Sequence, residues 1–384
     1  MGASGRLIAI VAGTLTLGGA AAALLAGGGS QARTHGHPSH HTSPGTVPPG
    51  VIVYARNTGS GVFQDSAGSF TMADSTGTAI GAPQTAPTCC FAASPTPRLV
   101  AMQRTGKRTP QLVVVTSSGI LSVPRPVAAG AALHLVPGAI SADGGQIAMS
   151  GTDRSNPLAD GIYIDTLPGP TLRRVTRAPP KLPQLPISFS PDGSRLLIYQ
   201  HIKGRFGSIA VVPTAGGGLV RPIGQTQSMC CYFGSPASWS PDGRHIAFAG
   251  FLRNPGQLAG QSAVFVADAS GRHIRRLTDW GTWTTSARWS PSGSWIVFDR
   301  VNTGDFHDEF LVHPDGSDLH VVNTNTVTGG SCCAQWSPDG RDLLYEHTDQ
   351  SGDVALWFVG VHGTASPRRI TRARGGYLSF AWVR

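Results

Sequence analysis

The six cysteines of this 384-residue chain fall into three adjacent pairs, Cys89-Cys90, Cys230-Cys231 and Cys332-Cys333. Adjacent thiols have three chemistries available. Each pair closes on itself as a vicinal disulfide, the pairs bridge separate segments, or thiolates converge on a soft metal such as Cu(I). A self-closed pair is a strained ring presenting a flat apolar sulfur surface, and it serves either as loop stiffening or as part of a ligand platform.

Other side chains with chemical potential gather late in the sequence. In "DWGTWTTSARW", Trp280 and Trp283 are indoles that either stack on a sugar or peptide ligand or cap the element beneath them. In "TGDFHDEF" and "EHTDQSGD", Asp305, His307, Asp308 and Glu309 stand against His347, Asp349 and Asp353. Together they make an alternative Ca²⁺ or transition-metal site, although neither stretch has a recognised ligand spacing and solvated polar loops explain them more simply. Near the N-terminus, His35, His37, His40 and His41 offer a flexible Zn²⁺ or Cu²⁺ cluster, with a solvated tether as the simpler reading. No Gly-x-Ser-x-Gly, His-Glu-x-x-His or phosphate-binding glycine loop is present. No cofactor is expected.

The elements that must position these residues are repeats. "SFSPDGSRLLIY", "SWSPDGRHIAFAG", "RWSPSGSWIVFD" and "QWSPDGRDLLYE" each join an aromatic, a four-residue turn and an apolar strand. Pro fixes φ in the turn, Asp or Ser bonds the backbone, and Gly makes the exit. The turn serines Ser190, Ser240, Ser290 and Ser337 are 50, 50 and 47 residues apart, and degraded copies occur at Ser141 and Ser94. A second hairpin accompanies each copy, as in "VADASGRHIRRLT" and "VHPDGSDLHVV". Four strands at this period make a propeller blade. The C-terminal "YLSFAWVR" supplies an inner strand around Trp382, while "GVIVYARN" from Gly50 is a second strand lacking its first. Pairing them closes the ring and removes its free edge. The expectation is an all-β, seven-bladed β-propeller of four-stranded antiparallel blades, with six blades as the alternative count.

On that frame the cysteine pairs lie in the connections leading to the inner strands of blades two, five and seven. Those connections share one face, the loop face, with the loops between second and third strands. Cross-bridging needs Cα atoms within about 7 Å, which is demanding across two or three blades, so self-closure of at least two pairs is expected.

The aromatic-Ser-Pro-Asp-Gly blades with a closing "RRLT" strand resemble the TolB-type propeller repeat over nearly all of Gly50 to Arg384. That resemblance implies the architecture. It spans periplasmic binding proteins, peptidase gating domains and some polysaccharide lyases, so it implies no single function.

Composition fits an exported all-β protein, with 13% charged residues, 50 Gly and 29 Pro. The net charge of +9 is mostly arginine scattered through turns and outer strands, among them Arg173, Arg174, Arg275, Arg276, Arg368 and Arg369. No basic stripe with interleaved aromatics exists, so nucleic acid is not an expected partner. Arg6 precedes an apolar run from Leu7 to Ala26, and Ser30 and Ala32 fit signal-peptidase cleavage. Residues 1–32 are therefore a signal peptide or N-terminal membrane anchor, 33–49 a disordered His/Pro-rich linker, and 50–384 the propeller. The functional expectation is an extracytoplasmic, monomeric, non-enzymatic scaffold, secreted or tethered to the membrane. Its partner is a cell-envelope protein or glycan held by the six cysteines, Trp280 and Trp283. The alternative is a metal-assisted enzyme of the polysaccharide-lyase type.

Overall fold

The computed structural model describes residues 51–383, apart from 57–68, 82–83, 86–87, 94–97, 106–108, 117–118, 121–124, 127–132, 167–170, 180–181, 202–205, 218–220, 228–236, 251–260, 283, 302–306, 323–328, 362–365, 372 and 375–376. The segments assigned to export and to the linker lie outside the described residues, as do Cys230, Cys231, Trp283 and Asp305. Of the side chains in the sheet carrying Cys89 and Cys90, nothing is described.

The repeated turns form as their chemistry dictates. Gly193, Gly243, Gly293 and Gly340 donate N–H to the carbonyls of Ser190, Ser240, Ser290 and Ser337 at 2.8 to 2.9 Å. The degraded copy does the same, Gly144 to Ser141 at 2.9 Å. The serine hydroxyl then works twice. Ser240 Oγ donates to Asp242 and accepts from the N–H of His245 at 2.9 Å, fixing the start of the next strand. Each turn glycine has positive φ, near 70° at Gly193, Gly243 and Gly340, where a side chain would be strained.

The strands form seven antiparallel sheets among the described residues. Sheet one combines the two ends of the propeller: Tyr377–Val383 pairs with Val51–Arg56, followed by Ser69–Asp74 and Gln84–Thr85. Sheet two is Thr88–Ala93, Arg98–Thr105, Thr109–Thr116 and Gly119–Ile120, and sheet three is Leu133–Ile140, Gln146–Asp153, Gly161–Thr166 and Arg173–Arg174. Sheet four is Gln184–Phe189, Arg195–His201, Phe206–Pro213 and Arg221–Gln227; sheet five is Ala237–Trp239, His245–Gly250, Gln261–Asp268 and Arg275–Arg276. Sheet six is Thr284–Trp289, Ile296–Val301, His307–Val312 and His320–Val321; sheet seven is Gly329–Trp336, Asp342–Asp349, Asp353–Gly360 and Arg368–Arg369. Inner strands touch in the order of the sheets, and that of sheet seven touches that of sheet one. This is a β-propeller. In its closing sheet Val51 faces Val383 and Tyr54 faces Phe380.

Alternation along the strands gives the blades whose side chains are described apolar faces toward their neighbours. Leu196 and Ile198 of sheet four pack against Ile162 and Ile164 of sheet three, while the intervening Leu197 packs against Trp239 and Phe248 of sheet five. Between sheets six and seven, Val297 and Leu311 meet Leu343 and Tyr345. Between sheets seven and one, Leu344 and Leu356 meet Ile52 and Trp382.

Polar ties cross the same seams. Trp239 Nε1 donates to the carbonyl of Ser188 at 3.2 Å, and Trp336 Nε1 to that of Arg288 at 3.1 Å, so in these two copies the repeat's aromatic is a tie to the preceding blade. Arg173 reaches the carbonyls of Thr214 and Ala215 at 2.7 and 2.8 Å, and Arg275 those of Pro314 and Asp315 at 2.6 and 2.9 Å. Both grip the outer hairpin turn of the next sheet. The two-residue Arg-Arg outer strands also leave short, charged edges that discourage pairing with another chain.

Candidate functional site

The described residues singled out in sheets six and seven are parts of strands, and Glu309 and His347 lie at the seam between the two sheets. His307, Asp308 and Glu309 open the third strand of sheet six, His347 and Asp349 end the second strand of sheet seven, and Asp353 opens its third. The loop placement expected from sequence is corrected. Each strand runs farther than its apolar core, because ladder hydrogen bonds continue through polar residues: Asp299 faces Glu309, and Ser331 faces His347.

Burial decides what these groups do. Glu309 is 0% and Asp299 2% exposed, and the two are direct cross-strand partners. Asp299 Oδ2 accepts from Thr285 Oγ1 at 3.0 Å, and Glu309 Oε1 accepts from the backbone N–H of Ala334 in sheet seven at 3.3 Å. Burial, and then the Asp299 carboxylate, push Glu309 well above the usual carboxylate range. Arg288 adds a countercharge from the inner strand. Desolvation lowers it from its ordinary value, and Asp299 and Glu309 oppose that effect. Part of the Arg288 surface is accessible, yet its Nε is fully interior. Tyr345 closes the cluster from sheet seven, its phenol pushed up by burial and by Glu309.

His347 lies at the end of the same seam, 5% exposed, its Nδ1 3.0 Å from Ser331 Oγ and its ring edge-on to Trp357. Burial lowers it, outweighing Asp349 and Asp308, so the imidazole is neutral near pH 7. Asp349 turns back on its own hairpin, accepting from the N–H groups of Ser351 and Asp353 at 2.9 and 3.0 Å. Among the described residues, no group of three or more His, Cys, Asp or Glu side chains is arranged to hold a metal ion. Glu309 is committed to Asp299 and Ala334 and is not a free ligand.

Cys89-Cys90 and Cys332-Cys333 lie within inner strands, correcting the expectation that they sit in the preceding connections. The strands start earlier because pairing resumes across an irregularity, between Thr88 and Phe91 and between Cys332 and Gln335. Cys333 is disulfide-bonded, 3% exposed, and has a φ of 71°. No other cysteine side chain is described. Ser286, at the same distance before its own turn serine, has a φ of 51° and also interrupts its inner strand. Left-handed backbone at a non-glycine residue costs about 1–3 kcal/mol and persists only where its surroundings impose it.

Trp280 lies in the connection between Arg275–Arg276 and Gly281–Thr282, both of which pair with Gln261–Asp268 of sheet five. It packs edge-on to Phe265 at 5.9 Å and under Arg276 at 4.9 Å, which makes it a partly buried cap.

Arg288, Asp299 and Tyr345 were not among the candidates from sequence. Two of them are legible as departures from the repeat. Arg288 precedes the aromatic where other copies have Ser188, Ser238 and Gln335, and Asp299 interrupts the apolar strand "WIVFD".

The profile of the TolB beta propeller domain family matches residues 100–383. No curated protein matches the chain. Similar solved structures include a putative TolB from Agrobacterium tumefaciens, 16% identical over 87% of this chain and 94% of that one, with a TM-score of 0.46. An oligogalacturonate lyase in complex with manganese is 15% identical over 72% and 73%, with a TM-score of 0.48. The β-propeller domain of the Trilobed protease from Pyrococcus furiosus is 14% identical over 75% and 85%, with a TM-score of 0.52. That domain has an open velcro topology, whereas here the C-terminal strand pairs with Val51–Arg56. Three different occupations stand in these names, and at such identities the likeness concerns the fold alone.

Proposed function

The chain belongs to the TolB β-propeller domain family, and on that footing we propose that it is an exported, seven-bladed, monomeric scaffold. It binds a cell-envelope protein or glycan at the loop face without transforming it. Seven sheets with inner strands in cyclic contact support seven blades over six. One observation carries the preference for binding over catalysis. The acid and histidine that would serve an enzyme in sheets six and seven, Glu309 and His347, are engaged with Asp299, Ala334 and Ser331 inside a seam. The apolar run before Ser30 and Ala32 supports export, as does the disulfide at Cys333, since such bonds persist in oxidising compartments. The cysteine pairs are the rigid part of the binding rim.

The test is retention of envelope components on the immobilised propeller, residues 50–384. Replacing Cys332 and Cys333 together by Ser should reduce retention, whereas Arg276→Ala, at the outer edge of sheet five, should leave it unchanged. Equal retention by both variants would remove the loop face from the reading.

A further inference from the structure

Asp299 and Glu309 are direct cross-strand partners, and one oxygen of each already has a donor, Thr285 Oγ1 for Asp299 and the Ala334 N–H for Glu309. The other two, Asp299 Oδ1 and Glu309 Oε2, are buried with no further partner among the described residues. Ionised carboxylates only accept hydrogen bonds, so these two oxygens can satisfy each other only if the pair holds one proton. With that proton, the pair carries one negative charge against Arg288. Without it, two negative charges share one cation in a space from which water is excluded, where repulsion is weakly screened.

The groups facing the pair are few. Arg288 approaches from the inner strand of sheet six and Tyr345 from the second strand of sheet seven. His307 shares a face with Glu309, and His347 with Tyr345, each two residues farther along its strand. His347 is neutral and cannot balance a second charge near pH 7. Glu309 accepts from the residue that follows Cys333, at the irregular point of the inner strand where pairing with Asp342–Asp349 is interrupted. The carboxyl contact is thus coupled to the least regular backbone of sheet seven.

We propose that the proton shared by Asp299 and Glu309 locks the seam between sheets six and seven, and that its loss releases Ala334 and loosens the strand carrying Cys332 and Cys333. Burial and the neighbouring Asp299 carboxylate raise the affinity of Glu309 for protons, so the locked state is favoured at lower pH and the release follows as pH rises.

Amide hydrogen exchange tests this on the whole propeller. After correction for intrinsic rates, protection of Gly329–Trp336 should fall ~10-fold or more between about pH 6 and about pH 9. Gln184–Phe189, the inner strand of sheet four, should show no such fall. In Glu309→Gln the amide donates to Asp299 without titrating and its oxygen still accepts from Ala334, so the difference between the two strands should disappear. Equal pH response in both strands of the wild type, or an unchanged fall in Glu309→Gln, overturns the proposal. Should that variant not fold, infrared spectroscopy of the wild type decides: a protonated-carboxyl band that persists above the usual carboxylate range and is lost as pH rises is expected, and its absence overturns the lock.

Discussion

Arg368 in the outer strand of sheet seven donates to the carbonyl of Ser75 in sheet one at 2.7 Å, so the end of the repeat array grips the turn of its beginning. A second bond reaches Thr76 at 3.4 Å. Arg173 and Arg275 make the same contact with their next sheets. Arg173, Arg275 and Arg368, three of the arginines behind the positive charge, are therefore interblade fasteners.

Ring closure should be the most fragile property of the fold. Deleting Ser379–Arg384 removes most of the inner strand of sheet one and exposes the edge of Val51–Arg56, so aggregation or loss of the cooperative thermal transition is expected. Arg368→Ala keeps that strand but loses two exposed-side hydrogen bonds, at a cost of about 1 kcal/mol. Denaturant midpoints of the two variants should separate clearly.

The repeat's tryptophan is predicted to act through its N–H as well as its bulk. Trp336→Phe removes the bond to Arg288, and Trp239→Phe the bond to Ser188, each at a cost of about 1–2 kcal/mol from the hydrogen bond and lost contacts. Equal small losses in urea unfolding would support the interblade tie, and no loss in either would refute it.

Acid should weaken the turns. Asp192 is held at about 2, chiefly by the Ser190 hydroxyl and then by the hydroxyl and N–H of Ser194. A carboxylate whose affinity for protons is lower in the folded state contributes stability above its unfolded value of 3.8 and loses it as pH falls toward 2. Melting temperatures measured downward from pH 5 should drop less steeply in Ser190→Ala than in the wild type, because Asp192 then starts from a more ordinary value. The Glu309 contribution has the opposite sign and declines as pH rises, so maximal stability is expected between these limits.

Oxidation of the cysteine pairs is predicted to occur within pairs for at least two of the three. Mass spectrometry of unreduced peptides should find at least two of the adjacent pairs linked to themselves. Peptides joined from different blades, or six free thiols, would contradict this.

How much of this was legible in the sequence follows from where local chemistry dominates. Ser-Pro-Asp-Gly encodes its turn within four residues, so the repeats and the split sheet are readable from Ser190, Ser240, Ser290, Ser337 and Trp382 alone. Strand ends are not, because Ser331, His347 and Asp308 continue ladders by backbone bonding that side-chain patterns do not announce. The gathering of His307, Glu309 and His347 at one seam was foreseeable from the blade count. Their engagement was not, since the partner Asp299 faces Glu309 through register and Ala334 reaches it from another blade. Trp280 reads as a loop indole because it stands in the break between Arg275–Arg276 and Gly281–Thr282; that it packs on Phe265 is set by the neighbouring strand.

The central claim is that this propeller holds its partner and does not transform it. Protein and glycan fractions of the cell envelope should be incubated with residues 50–384 and the retained molecules compared by mass before and after. The account predicts saturable retention of a component of unchanged mass; a retained component converted to a new mass, or no retention at all, would contradict it.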